Sequence, residues 1–317
     1  MIYDGLMDFL KNSRAVHRCV VVLGAFFALY TATPALAADK AVAILLSREI
    51  APVIDMVEGL ENELAGQRVQ RFFFDAKGQL YSLGSEPQLD ALHFAAVVAI
   101  GPQALQYALR HGPDLPLFFG LVLNPQRFGD THRPIRYGIS LNIPPARQFA
   151  ALRRQLPQLR TLGILFDPHN NQEWFDQALL AAKPLGIELL PLHVRRHDER
   201  IQLQDSSFAQ VQAVLFIPDA TIISPPVIRH LIQQAFLQRI PAIGYNPFFT
   251  DSGAAFSFLL NYQADGRRLG RQVKQQLISD AQPQPAIRFD SPSFELQRND
   301  TVWHRFGAVL PVRKASP

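Results

Sequence analysis

The chain has 317 residues, is 48% hydrophobic and carries a formal net charge of +4. Its basic residues are scattered and form no stripe interleaved with aromatics, so composition gives nucleic-acid binding no support. The single cysteine, Cys19, lies in an apolar N-terminal run, which excludes a disulfide framework.

That run has the grammar of an export signal. Lys11, Arg14, His17 and Arg18 precede the apolar segment Cys19 to Tyr30, and Ala35-Leu36-Ala37 offers small residues at the positions a signal peptidase reads. The apolar segment is shorter than the roughly 20 residues that span a bilayer. Residues 1–37 are therefore expected to be a signal peptide cleaved near Ala37, with no lipid on Cys19, where His17 and Arg18 stand in place of small apolar residues. About 280 residues then remain, enough for one large domain or two medium ones.

The mature chain alternates strands and helices. Ala41 to Ser47 and Ala96 to Ile100 are continuous apolar runs of strand length, as suits parallel strands covered on both faces. Val53, Ile54, Val57, Leu60 and Leu64 recur at helical spacing before Gly66, a good residue to end a helix. Val69 to Phe74 and Pro116 to Leu123 read as strands, and Pro87 to Phe94 as a helix. The segment Tyr137 to Pro168 contains a strand, a Pro-Pro helix start, the amphipathic helix Ala146 to Leu156 and the strand Thr161 to Phe166. It predicts the crossing from one α/β lobe into a second.

Beyond it the pattern restarts. Helices are expected over Gln172 to Leu185, Pro226 to Gln238, Gln263 to Ile278 and Thr301 to Phe306. Strands are expected over Ile187 to Val194, Val211 to Ile217, Pro241 to Tyr245 and Ala254 to Leu260, with an extended piece from Ile287 to Leu296 after a turn at Ala281 to Pro285. Two such βα series predict two lobes of similar build.

Polar and turn residues close the strands: Ser47-Arg48, Gly101-Pro102-Gln103, Asn124-Pro125, Ser140, Asp167-Pro168, Asp219-Ala220-Thr221 and Tyr245-Asn246. Each alone is a turn signal. Together they mark the carboxyl ends of strands, where open α/β sheets bind ligands. Phe248-Phe249 are placed to close over an aromatic or apolar ligand, whereas Phe72 to Phe74 and Phe118-Phe119 read as core. Catalytic signatures are missing: the chain has no G-x-S-x-G elbow and no phosphate-binding glycine loop. His193 and His197 have helical metal spacing, but the first ends a strand and Arg195 and Arg196 intervene, so no metal site is assigned.

The run GISLNIPPARQFAALRRQLPQLRTLGILFDPHNN resembles a segment of the ABC-transporter substrate-binding proteins that include tryptophan- and tyrosine-type binders. Similar stretches follow in order: IPDATI from Ile217, IPAIG from Ile240, SGAAFSFLLNYQADGRRLGRQ from Ser252 and, loosely, FELQRNDTVWHRFGAVLP from Phe294. The resemblance implies a type I periplasmic-binding-protein fold, with two Rossmann-like α/β lobes whose parallel sheets are joined by a three-strand hinge. The lobes are expected at 38–139 plus 250–282 and at 140–249 plus 283–317. It further implies a periplasmic monomer that is not an enzyme and has no cofactor, binding a small organic ligand for the membrane permease of an ABC importer. A membrane receptor or kinase in place of the permease, or an exported enzyme using Asp167 or Asp219, are the alternatives. Carried over residue by residue, the pocket draws on Ser47, Gly101, Pro102, Gln103, Asn124, Asp167, Asn170, Asn171, Asp219, Thr221 and Tyr245. The chain departs from the family pattern at Pro102-Gln103, Asn124, Ala220 and His169 to Asn171, so the resemblance does not fix the ligand as an amino acid.

Overall fold

The computed structural model describes residues 40–82, 89–128, 135–197, 200–203, 208, 210–219, 221–278 and 288–309. The expected signal peptide, the turn at Ala281 to Pro285 and Leu310-Pro311 lie outside them.

The chain builds two sheets in turn. The first takes strands β1 (Ala41–Leu46), β2 (Val69–Phe74), β3 (Leu80–Tyr81), β4 (Phe94–Ile100), β5 (Leu117–Val122) and β6 (Ile135–Ser140), with helices α1 (Ala51–Glu63) and α2 (Pro102–His111). The chain then crosses to α3 (Pro145–Gln155), β7 (Thr161–Phe166), α4 (Pro168–Ala182), β8 (Glu188–His197), β9 (Arg200–Leu203), β10 (Ala213–Phe216), α5 (Pro225–Leu237), β11 (Ala242–Gly244), α6 (Pro247–Asp251) and β12 (Phe256–Leu260). It returns through α7 (Tyr262–Ile278) and β13 (Phe289–Asp290), then ends with β14 (Phe294–Arg298) and α8 (Asp300–Trp303). Among the described residues each sheet has seven strands, ordered β13-β6-β5-β4-β1-β2-β3 and β14-β12-β11-β10-β7-β8-β9.

The continuous apolar runs follow from cover on both faces. In β1, Val42, Ile44 and Leu46 pack toward α1 and α7, while Ala43 and Leu45 face the side of α2. In β7, Leu162, Ile164 and Phe166 join the core that holds α3 and α4, and Leu165 joins that of α5. Side chains of successive strand residues point to opposite faces, so a strand buried on both must be apolar throughout.

Three crossings connect the sheets: β6 to α3, β12 to α7, and β13 to β14. All three run between the carboxyl edges of the sheets. β13 is parallel to β6, and antiparallel β14 starts at Phe294, opposite Leu260 at the end of β12. The carboxyl edges of both sheets therefore lie on the side where the chain passes across.

Two expectations are corrected. Sheet membership differs from the expected boundaries inside 250–282, because β12 pairs with β11 and β14 in the second sheet and only α7 returns to the first. What returns it is a backbone-close contact with α1: a Cβ on Gly266 would lie 2.0 Å from the Met56 carbonyl oxygen, and one on Gly59 2.1 Å from that of Gln263. Likewise β13, expected with the second lobe, pairs with β6 in the first. The other correction concerns Pro87 to Phe94. Its described part is 89–94, where 91–93 form a turn and Phe94 opens β4, and the Asp90 carboxylate accepts the N–H groups of Leu92 and His93 at 2.8 and 2.9 Å. An Asp that captures nearby backbone donors offers the chain an alternative to helix.

Candidate ligand-binding site

At the first sheet's carboxyl edge, Ser47 and Gly101 stand together. The Ser47 hydroxyl accepts the Ala104 N–H at 2.9 Å and so satisfies one of the free donors of the first turn of α2. Gly101, with φ +95°, leads into that helix, and a Cβ there would sit 2.6 Å from the Ser47 Oγ. The position thus requires glycine twice over, for conformation and for space. Pro102 and Gln103 follow, both exposed. The Gln103 amide nitrogen lies toward Gly78, at the turn between β2 and β3.

The end of β5 is strained. Leu121 (φ 56°) bulges from the ladder with β6, and Asn124 (φ 51°) is also left-handed. Asn124 turns toward the first crossing, where Asn142 donates from Nδ2 to the Asn124 Oδ1 at 2.6 Å and accepts the Asn124 N–H at 2.7 Å. The Ser140 hydroxyl donates to the Asn142 Oδ1 at 2.8 Å. Asn142 is a residue that the strand-end pattern misses, since it stands beyond the last paired residue of β6.

The second sheet's edge gathers five of the expected residues into one hydrogen-bonded cluster. Asp219 is its hub. One carboxylate oxygen accepts the Asp167 N–H at 2.8 Å and the Asn171 amide at 2.7 Å, and the other accepts the Thr221 N–H at 2.8 Å and the Asn170 amide at 3.3 Å. Asp167 caps α4 through the His169 N–H at 2.9 Å and accepts the Thr221 hydroxyl at 2.7 Å. Asn170 also donates to the Thr221 Oγ1 at 3.1 Å. The pull on Asn171 distorts the helix, since it has φ −134° and ψ 19° inside α4. Asp219 and Thr221 are buried, 5% and 8% exposed, so unpaired they would be costly. Tyr245, at the end of β11, packs its ring 4.6 Å from that of Phe249. Burial, with the Asp219 charge adding to it, pushes its phenol above the usual tyrosine value.

The two edges are thus built from different materials: helix caps and a strained turn on the first, a closed polar cluster on the second. Of the remaining residues weighed for chemistry, His193 lies edge-on against Phe166, 5.4 Å between centroids. Phe248 is covered by the Arg229 guanidinium at 5.6 Å.

Residues 70–293 match the model of the ABC transporter substrate binding protein family. The chain belongs to that family. The family is one of substrate-binding proteins and not of enzymes. No curated protein matches the sequence.

Among solved structures this substrate-binding protein is similar to a ligand-free, open substrate-binding protein with adhesive properties, CD0873 from Clostridium difficile. They share 14% identity and a TM-score of 0.64, with 84% of this chain and 95% of the other covered. It is also similar to an ABC domain in complex with L-Trp from Streptococcus pneumonia, at 16% identity and a TM-score of 0.54 over 85% and 95% of the two chains. A conserved domain protein from Vibrio cholerae gives 16% identity and a TM-score of 0.55 over 87% and 97%. At these identities the likeness is one of fold, the two-lobed α/β architecture of type I periplasmic binding proteins.

The crossings of this substrate-binding protein are held by a charged network that no strand-end signal marks. Arg268 of α7 donates to Asp265 at 3.0 Å, to the Ser291 carbonyl at 3.1 Å and to Asp290 at 3.1 Å. The Tyr137 hydroxyl donates to the same Asp290 at 2.7 Å. Asp265 accepts the Ser293 N–H at 2.9 Å, and burial pushes its carboxyl up from the ordinary aspartate value. Asn261 donates its N–H to the Ser293 carbonyl at 2.9 Å, which joins the second crossing to the third. In sequence Arg268 looks like one more solvated basic residue of its helix. The structure turns it inward onto the third crossing.

Proposed function

We propose that this protein is exported to the periplasm, takes a small organic ligand, amino-acid-like or aromatic, between its two lobes, and presents the ligand-bound form to the permease of an ABC importer. The observation that carries this reading is that all three crossings run between the carboxyl edges of the two sheets. Those are the ends at which the two polar edges stand. The first edge supplies Ser47, Gly101, Pro102, Gln103 and Asn124, and the second supplies Asp167, Asn170, Asn171, Asp219, Thr221 and Tyr245. A ligand touching both edges favours the arrangement in which they approach, and a shift of that kind needs only the crossings to bend. The chain acts as a monomer in this scheme.

Binding without chemistry fits the second edge. Asp167 and Asp219, the carboxylates a hydrolytic enzyme would enlist, already accept hydrogen bonds from their own neighbours. That the Streptococcus pneumonia relative was solved with L-Trp supports an aromatic or amino-acid-like ligand as the first class to try. Titration calorimetry of residues 38–317 against standard amino acids, nucleosides and aromatic carboxylic acids tests the reading. Saturable binding of at least one compound, at one site per chain, is expected. Silence across all three classes would overturn it.

A further inference from the structure

At the carboxyl end of β11 the chain turns through Tyr245 and Asn246 into α6. The side-chain oxygen of Asn246 is buried and has no hydrogen-bond partner among the described residues. A buried acceptor left unpaired costs about 1–3 kcal/mol, so its presence calls for a reason. Helix capping is not that reason. Asn246 precedes α6 at the position where an Asn oxygen would take a backbone N–H, and it makes no such bond.

Its place in the sheet supplies another reason. The ladders pair Leu215 with Ile243 and Phe216 with Leu165. Continuing these rows past the strand ends brings Asp167, Pro218 and Asn246 level across three neighbouring strands. Asn246 thus stands in the row that forms the second edge of the proposed site. As a residue it is only partly buried. No hydrogen bond holds the oxygen inward, so turning the carboxamide toward a bound molecule breaks none.

We infer that Asn246 is a ligand contact and accepts a hydrogen bond from an uncharged donor of the ligand, a hydroxyl or an amide or ring N–H. The inference rests on the reading that a small molecule binds at the carboxyl edges. The donor is uncharged because the oxygen belongs to a neutral carboxamide and the Asp219 carboxylate of the same edge has its four acceptor positions filled by its neighbours. Asp219 takes donors from Asp167, Asn170, Asn171 and Thr221, and Asp167 takes them from His169 and Thr221. What the edge has left at Asn246 is a neutral acceptor.

The test compares wild type with Asn246→Ala and Asn246→Asp by thermal shift, followed by calorimetry of any hit. The probes are the standard amino acids, the 2-hydroxy acids of the same side chains, and the acids lacking either group. Wild type is expected to bind a 2-hydroxy acid at least as tightly as the matching amino acid and to bind the unsubstituted acid about tenfold more weakly. Asn246→Ala should lose about tenfold on the 2-hydroxy acid while melting, ligand-free, no lower than wild type. Asn246→Asp should shift preference to the ammonium-bearing amino acid. Unchanged affinity in Asn246→Ala overturns this inference alone, as does a clear drop in its ligand-free melting temperature or a wild-type preference for amino acids. Absence of wild-type binding to every probe overturns this inference, and silence of nucleosides and aromatic carboxylic acids as well overturns the reading beneath it.

Discussion

The carboxyl edges of the two sheets solve the same problem in opposite ways. On the first, each polar residue has a separate local role, with Ser47 capping α2, Gly101 making the turn into it, and Asn124 reaching out to Asn142 on the crossing. On the second, Asp167, Asn170, Asn171, Asp219 and Thr221 answer to one buried carboxylate. The first edge is therefore divisible and the second is cooperative. A buried polar network is worth more than its pairs when complete and becomes a liability when one member is removed.

The largest expected effect comes from breaking the cooperative edge at its hub. Asp219→Ala leaves four donors of Asp167, Asn170, Asn171 and Thr221 without their acceptor and should cost about 3 kcal/mol or more by urea denaturation. A loss below about 1 kcal/mol would mean that the cluster is not cooperative.

Gly101→Ala probes the divisible edge and should cost less, about 1–3 kcal/mol. It forces a left-handed residue against Ser47. Because the roles there are separate, combining Gly101→Ala with Asp219→Ala should give additive losses within about 0.5 kcal/mol, whereas Asp219→Ala with Thr221→Val should not. Double-mutant denaturation curves decide between these outcomes.

The smallest effect is expected from alkali. Burial raises the phenols of Tyr137, Tyr245 and Tyr262 above the ordinary tyrosine value, with Asp290, Asp219 and Asp55 respectively adding to it. A raised folded-state value means the stabilisation is fully present below the unfolded value of about 10 and is lost as pH rises beyond it. Denaturation midpoints from pH 8 to 11 should therefore hold and then fall. Tyr137→Phe should flatten the fall near the crossings, and Tyr245→Phe should flatten it at the second edge.

Much of this architecture is legible in the chain. Strands buried on both faces must be apolar throughout, so β1, β4, β5, β7 and β10 announce themselves, and the polar or turn residues that follow each one mark the edge. The position of α7 does not show, because its return to the first sheet depends on Gly59 and Gly266 letting two backbones meet, and the glycines carry no pattern of their own. The short edge strand β13 is set by a partner distant in sequence, β6. At the site, the sequence names Asp219 but cannot tell a carboxylate offered to a ligand from one consumed by its neighbours. That difference lies in four hydrogen bonds, two of them from asparagines some fifty positions away. Asn142 escapes the strand-end pattern, and Asn246 shows in it only as a turn residue, for a related reason. Each stands past the last paired residue of its strand, where a polar side chain looks like any turn.

If the two edges meet on one ligand, binding must draw the lobes together. Small-angle scattering of the chain alone, and saturated with a compound that calorimetry shows to bind, tests this most directly. The radius of gyration should be smaller in the bound state, and Asp219→Ala should abolish both the heat of binding and the contraction. A bound state with an unchanged radius would contradict closure on a shared ligand.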